Sequence, residues 1–283
     1  SAVAHQIADP ENDLPAVVSI GPTQGAGFLG VDFEPFVVNN PGQLPSNVGA
    51  PVADTRMNRR LGLLGQLEGE FRERGAEVGV ENHRQLYDKA SKLVLSPETK
   101  AFDFKDEPAA VQTRYGDSQF GRGCLLARRL VEHGVSYIEV RSNGWDTHQD
   151  NFTRSRKLMA DLDPAMASLL RDLAERELLD TTLVLWIGDF GRSPRINGRE
   201  GRDHHPKAQS AVLAGGGIRG GLVHGATDAR GETVVQDPLS VPDLFATVAW
   251  QLGLDPSKTV DTPAGRPIAI TDGGSARAVL RAG

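Results

Sequence analysis

TLVLWIGDFGRSPRINGREGRDHHP, Thr182 to Pro206, combines an apolar run with a polar loop rich in Asp, Arg and His. It opens on the apolar run Leu183-Val184-Leu185-Trp186-Ile187, which reads as a buried strand. Within one residue the character changes, and Gly188-Asp189-Phe190-Gly191-Arg192 brings a carboxylate and a guanidinium to the end of that strand. A polar loop then delivers Arg202-Asp203-His204-His205-Pro206. A buried strand opening into a loop of Asp, Arg and His is where α/β proteins hold ligands and metals.

Upstream, Val135–Val140 is a second strand of β-branched and aromatic residues, and it ends in the loop Arg141–Asp150. A helical tract from Phe152 to Leu178 follows, with Leu158, Leu162, Met166, Leu169, Leu170 and Leu173 as its apolar stripe. Asp163-Pro164 is expected to kink or restart that tract. Gln112–His133 holds an amphipathic helix with a core thiol, Cys124, and Gly134 suits its left-handed cap. Downstream come a short strand at Ala211–Ala214, an edge strand at Gly221–Gly225 and a helix over Pro242–Leu252. This alternation predicts a three-layer α/β sandwich.

The amino-terminal part is less regular. Leu14–Ile20 reads as a buried strand, and Gly25–Gly30 as a glycine-rich turn. No helix follows that turn, so a phosphate cradle is the weaker reading. Pro35–Pro51 is an ordered surface loop rich in Pro, Gly and Asn. Helices are expected from Asp54, over Asn82–Leu95, and as a short piece at Pro97–Phe102. The chain therefore reads as one α/β domain over residues 1–283, with a loop and helical excursion at about 35–110.

At 283 residues the chain can bury a sizeable core without a disulfide or a structural metal. A net charge of −6 and the lack of a basic stripe argue against nucleic-acid binding. The single cysteine excludes an internal disulfide framework and a cysteine-rich zinc site. No run reaches the roughly 18 apolar residues of a membrane span, and no signal peptide is visible. The chain opens on Ser1 with no initiator methionine.

Three groups carry the candidate chemistry. Asp146-x-His148 places a carboxylate and an imidazole on one side of an extended segment, either as metal ligands or as an Asp orienting a loop histidine. Asp189, leaving an apolar strand, must be paired or bound to a cation. Arg192 either supplies that pairing or holds a substrate anion while Asp189 binds metal. In Arg202-Asp203-His204-His205 adjacent histidines rarely reach one ion together, so His204 is the expected ligand and Asp203 its support. The latter group precedes a strand, so the site requires either an antiparallel Ala211–Ala214 or a Phe190–Lys207 loop that folds back.

Gly144-Trp145-Asp146-Thr147-His148 with Asn151-Phe152, then Gly188–Pro194, then Gly201-Arg202-Asp203-His204 resemble a bacterial family known as domain of unknown function 1501. The resemblance runs from about Leu14 to Thr271. It implies kinship with the alkaline phosphatase and sulfatase superfamily, hence an α/β/α sandwich with a mostly parallel sheet and one or two divalent metals. It also implies that Asp146, His148, Asp189 and His204 are metal ligands and that Arg192 steadies an ester anion in catalysis. Asp203, His205 and Arg202 would support them. Zinc is the expected ion, with manganese, calcium or iron as alternatives.

Two departures from the superfamily stand out. Phe190 occupies a place where the superfamily has a metal-binding histidine, and nothing before Asp146 resembles its nucleophile segment. The family's amino-terminal portion, with its export signal, is expected to be missing, leaving the carboxy-terminal part of a larger domain. The resulting expectation is an exported, metal-dependent hydrolase of phosphate or sulfate esters, acting on a small-molecule or polysaccharide anion. The alternative is a binding or structural module that has lost its nucleophile. An iron oxygenase with two histidines and one carboxylate ranks last, because Asp-x-His reverses the usual order.

Overall fold

A computed structural model describes residues 1–46, 48, 54–74, 77–262, 264–271 and 273–281. The chain divides into two compact units, residues 1–113 with 122–141, and residues 114–121 with 142–283.

The first unit begins with α1 (Ala2–Ile7) and β1 (Val17–Ile20), all four of whose strand residues are buried. β2 (Phe36–Val38) pairs parallel with β1, matching Val18 to Phe36 and Ile20 to Val38. Parallel neighbours require a crossover. The glycine-rich stretch forms part of it, with 3₁₀ turns at Gly27–Leu29 and Val31–Phe33. The sequence reading places Phe36–Val38 inside a surface loop, because Pro35 and Asn39-Asn40-Pro41-Gly42 hide a three-residue strand. The expected end of that loop at 49–51 lies outside the described residues.

α2 (Asp54–Glu73) and α3 (Glu77–Leu95) follow, and a 3₁₀ segment at Pro97–Phe102 is capped by Ser96, whose hydroxyl accepts from the Glu98 amide at 3.1 Å. α4 (Ala109–Tyr115) and α5 (Gln119–Glu132) cross between the two units in sequence, and β3 (Tyr137–Val140) completes a three-stranded sheet of order β2-β1-β3. β3 runs parallel to β1, with Val17 opposite Tyr137 and Ile20 opposite Val140. Glu107, its side chain 7% exposed, ties Arg128 and Arg129 together in this unit, and Arg129 also donates to the Ala101 carbonyl at 2.8 Å.

The second unit is led by α6 (Asn151–Glu175), which runs unbroken through Pro164. The expected restart at Asp163-Pro164 does not occur, because Leu162, Ala165, Leu169 and Leu173 stay buried along one face. Burial of that stripe offsets the lost hydrogen bond and ring clash of an exposed proline, about 3 kcal/mol in a helix interior. Asp172, fully buried, is met by Arg114 and by the Tyr115 hydroxyl at 2.9 Å.

β4 (Val184–Ile187) is the apolar run of the opening stretch. Gly188–Phe190 then leads into β5 (Gly191–Ile196), which turns back as β6 (Arg202–His205). β7 (Ala211–Ala214) returns antiparallel to β4, Val184 against Ala214 and Ile187 against Ala211. β8 (Ala226–Thr227) and β9 (Val234–Gln236) form another antiparallel pair. α7 (Val241–Gln251) starts with a capping box between Ser240 and Asp243. β10 (Thr259–Asp261) and β11 (Pro267–Ala269) close the unit. No strand forms at Gly221–Gly225, whose end glycines have φ of 73° and 79°, outside the β region.

The expected three-layer sandwich with a mostly parallel sheet is therefore corrected. Among the described residues the only parallel sheet is β2-β1-β3, and the other pairs, β4–β7, β5–β6, β8–β9 and β10–β11, are two-stranded and antiparallel. The reason is local. The apolar run at β4 looks like a central parallel strand, but it has one neighbour and stays half-buried, with Trp186 38% exposed. The chain after it turns back on itself instead of crossing over through a helix.

Candidate functional site

The site is assembled from two pieces, the loop before α6 and the β5–β6 hairpin. In the loop, Thr147 is buried and its hydroxyl donates to Asn151 Oδ1 at 2.6 Å. Alternation about Thr147 turns Asp146 and His148 to the opposite side, where Asp146 Oδ1 lies 3.0 Å from His148 Nε2. In the hairpin, Arg192 stands directly opposite His204, and Gly191 opposite His205. The ladder is irregular between Arg192 and Ile196, where Pro194 cannot donate.

Backbone bonds lash the two pieces together. The Arg202 amide donates to the Thr147 carbonyl at 3.0 Å, Asp150 to Arg199 at 3.1 Å, and Asn151 to Glu200 at 2.9 Å. The approach is close enough to require glycine at 201, since a Cβ there would fall 2.0 Å from the His148 carbonyl carbon. Asn197 organises the turn. Its Oδ1 accepts from the Arg199 and Gly201 amides, while its Nδ2 donates to the His148 carbonyl at 3.1 Å and to Asp203 Oδ1 at 3.0 Å.

Asp146, His148 and His204 converge as a consequence. His204 Nε2 is 3.0 Å from Asp146 Oδ1, and the two imidazole Nε2 atoms are 3.1 Å apart. With the 3.0 Å between His148 and Asp146, this makes a nearly equilateral triangle of one oxygen and two nitrogens. Such edges match one face of an octahedral shell with bonds of about 2.1 Å and are shorter than those of a tetrahedral one, about 3.4 Å. The donor set of one carboxylate and two imidazoles is also one that zinc, manganese or iron accepts. The residues thus fit a divalent ion, with Asp146 and His204 exposed and His148 partly so.

The surroundings are as specific as the triangle. His148 Nδ1 faces Asp203 Oδ1 at 3.1 Å, which leaves Nε2 directed at the triangle. Arg192 Nη1 lies 2.6 Å from Asp146 Oδ1, the same oxygen that both imidazoles reach. A cation at the triangle and the Arg192 guanidinium would therefore compete for one oxygen. The Phe190 ring packs on His204 with centroids 4.3 Å apart, and the Arg192 guanidinium sits over the same Phe190 ring, 5.6 Å from its centroid. The His204 hydrogen bond, followed by that of Arg192, holds the Asp146 carboxyl below the usual carboxylate range. Asp203 is lowered in the same way by His148 first and Asn197 second.

Of the residues singled out from sequence, Asp146, His148, His204, Arg192 and Asp203 come together. Asp189 does not join them: it is exposed, its Oδ1 accepts from the Phe190 amide at 2.9 Å, and it lies outside the Asp–His–His group. Arg192 faces Asp146 instead of Asp189. His205 points elsewhere, donating from Nε2 to the Glu232 carbonyl at 2.7 Å. Arg202 pins the hairpin by donating to the Ser193 and Pro194 carbonyls at 2.6 and 2.9 Å. Of the two alternatives by which sequence lets His204 reach the site, both occur: Ala211–Ala214 is antiparallel, and the segment after Phe190 folds back as a hairpin. Asn197 was missed. Its Asn-Gly step marks a turn, but nothing in the sequence shows its amide reaching back to the 146–148 loop.

Fold and site define an α/β protein whose Asp–His–His cluster is held by a β-hairpin against the loop that opens a long helix. The family model described as "Protein of unknown function (DUF1501)" matches residues 1–282, and the chain belongs to that family. No curated protein and no solved structure matches it. Among the described residues, no helix is long and apolar enough to cross a membrane.

Proposed function

We propose that this protein is a divalent-metal-dependent hydrolase of phosphate or sulfate esters, with the ion held by Asp146, His148 and His204. The observation that carries the reading is the triangle of ligand atoms with edges of 3.0 to 3.1 Å, built from two segments 56 residues apart. A zinc, manganese, calcium or iron ion bound there would supply Lewis-acid polarisation of an ester oxygen. The chain's own residues would do the rest. Asp203 fixes the ring of His148, and Asn197 fixes Asp203. Arg192, partly buried beside the triangle, is placed to meet an anionic oxygen once Asp146 is engaged by the ion.

The order Asp-x-His, Asp-Phe-Gly, Asp-His along the chain supports kinship with the alkaline phosphatase and sulfatase superfamily, and it does so without a shared sheet. The same resemblance supports export to the periplasm or cell surface and a small-molecule or polysaccharide ester as substrate. A second reading is favoured by one observation. Phe190 packs on His204 where a further ligand is expected, and Asp189 stands apart, which suits a module that binds an ion and an anion without turning it over. Assay of the metal-loaded protein against aryl phosphate and sulfate esters separates the two. The hydrolase reading expects turnover that falls at least about a hundredfold in Arg192→Ala and His148→Ala. Metal-loaded protein inert on the whole panel contradicts it and leaves the binding module.

A further inference from the structure

The helix α2 leaves an apolar seam exposed. Leu63 and Leu67 are 57% and 52% exposed, and Phe71 beside them is 59% exposed. A soluble chain seldom leaves such residues in a row at helical spacing without a partner. Arg56, Arg60, Leu63, Leu67, Glu70 and Arg74 follow one another at alternating four- and three-residue steps, the spacing of a coiled-coil seam. Arg60 and Glu70 are exposed, and among the described residues neither forms an ion pair.

The order of charges along the seam identifies the partner. In an antiparallel pairing about a two-fold axis beside Gly65, Leu63 faces Leu67 of the partner subunit, and Arg60 faces Glu70 of the partner subunit. Each contact occurs twice by symmetry, as an isologous interface requires. The apolar layers lie in the centre and the opposite charges flank them. Only the outermost layer, Arg56 with Arg74 of the partner subunit, is like-charged, and it falls at the solvated ends. A parallel pairing would instead set Arg60 on Arg60 and Glu70 on Glu70. We infer that α2 is a self-association surface and that its occupant is a second copy of this chain, docked antiparallel. The inference is independent of the metal site.

Sedimentation equilibrium of the full chain across roughly 5 to 500 µM tests it, since two apolar layers flanked by two oppositely charged ones give a concentration-dependent dimer. Leu63→Glu with Leu67→Glu is expected to sediment as a monomer throughout, with an unchanged far-ultraviolet circular dichroism spectrum. Arg60→Glu alone and Glu70→Arg alone should each weaken association by about tenfold or more. The double variant Arg60→Glu/Glu70→Arg should restore it, because one chain then supplies both swapped charges. A wild-type chain that stays monomeric throughout overturns the inference. So does a dimer that the leucine variants leave intact, or charge swaps that are not reciprocal.

Discussion

At the scale of single residues, His148 is the most constrained member of the cluster. One ring nitrogen faces Asp203 and the other faces Asp146 and His204. A carboxylate behind a ligating imidazole fixes its orientation and raises its basicity, and losing one costs about 10- to 100-fold in metal affinity. Asp203→Asn keeps a hydrogen-bond acceptor but loses the charge, so it should fall at the low end of that range. Asn197→Ala removes the support of both Asp203 and the His148 carbonyl and should weaken zinc binding by about tenfold. Competition titration against a chromophoric chelator reads both. Asp146-x-His148 was legible in the sequence because alternation alone puts both side chains on one side. Asn197 was not legible, since its role depends on a contact 49 residues away. Asp189 shows the opposite failure: a carboxylate at the end of an apolar run satisfies itself on the next amide.

At the scale of elements, the β5–β6 hairpin works only if it can lie against the 146–151 loop. Gly201 is the contact point, and Gly201→Ala would drive a methyl group into the His148 backbone. The expected result is a destabilisation of about 1–3 kcal/mol in urea melts, together with weaker metal binding, because His204 and His148 are carried by the two separated pieces. Unaltered stability and binding would show that the pieces do not depend on that approach. The hairpin itself was foreshadowed by the requirement that His204 fold back, yet its pairing of Arg192 with His204 was not. α6 marks another limit. A proline inside a periodic stripe reads as a kink or a restart, and a run of buried leucines on one face carries the helix through it without a restart. The strand β2 was lost to the opposite error, three residues inside a segment whose composition is that of a loop.

At the scale of the whole molecule, the α/β class, most helices and the strands near the cluster were legible from hydrophobic periodicity and helix signals. The sheets were misjudged, because an apolar run records burial and not the direction of its neighbours. Stability at low pH should be set in part by Glu107. Burial raises its pKa, but the hydrogen bonds of Arg128 and then Arg129 outweigh this and bring it below the usual carboxylate value. The stabilisation from a lowered carboxylate is present above the unfolded pKa of about 4.3 and is lost as pH falls through the folded value. Glu107→Gln should lower the melting temperature at pH 7, by about 3 kcal/mol in stability for a broken buried pair. It should also flatten the decline of melting temperature below about pH 4.3, where wild type still loses this contribution. An ion held by Asp146, His148 and His204 should be seen in zinc titration of the purified protein in a calorimeter. One ion per chain is predicted, with affinity reduced at least about tenfold in His148→Ala and in His204→Ala. Wild-type protein that binds no ion, or binding that both variants leave unchanged, would contradict the claim.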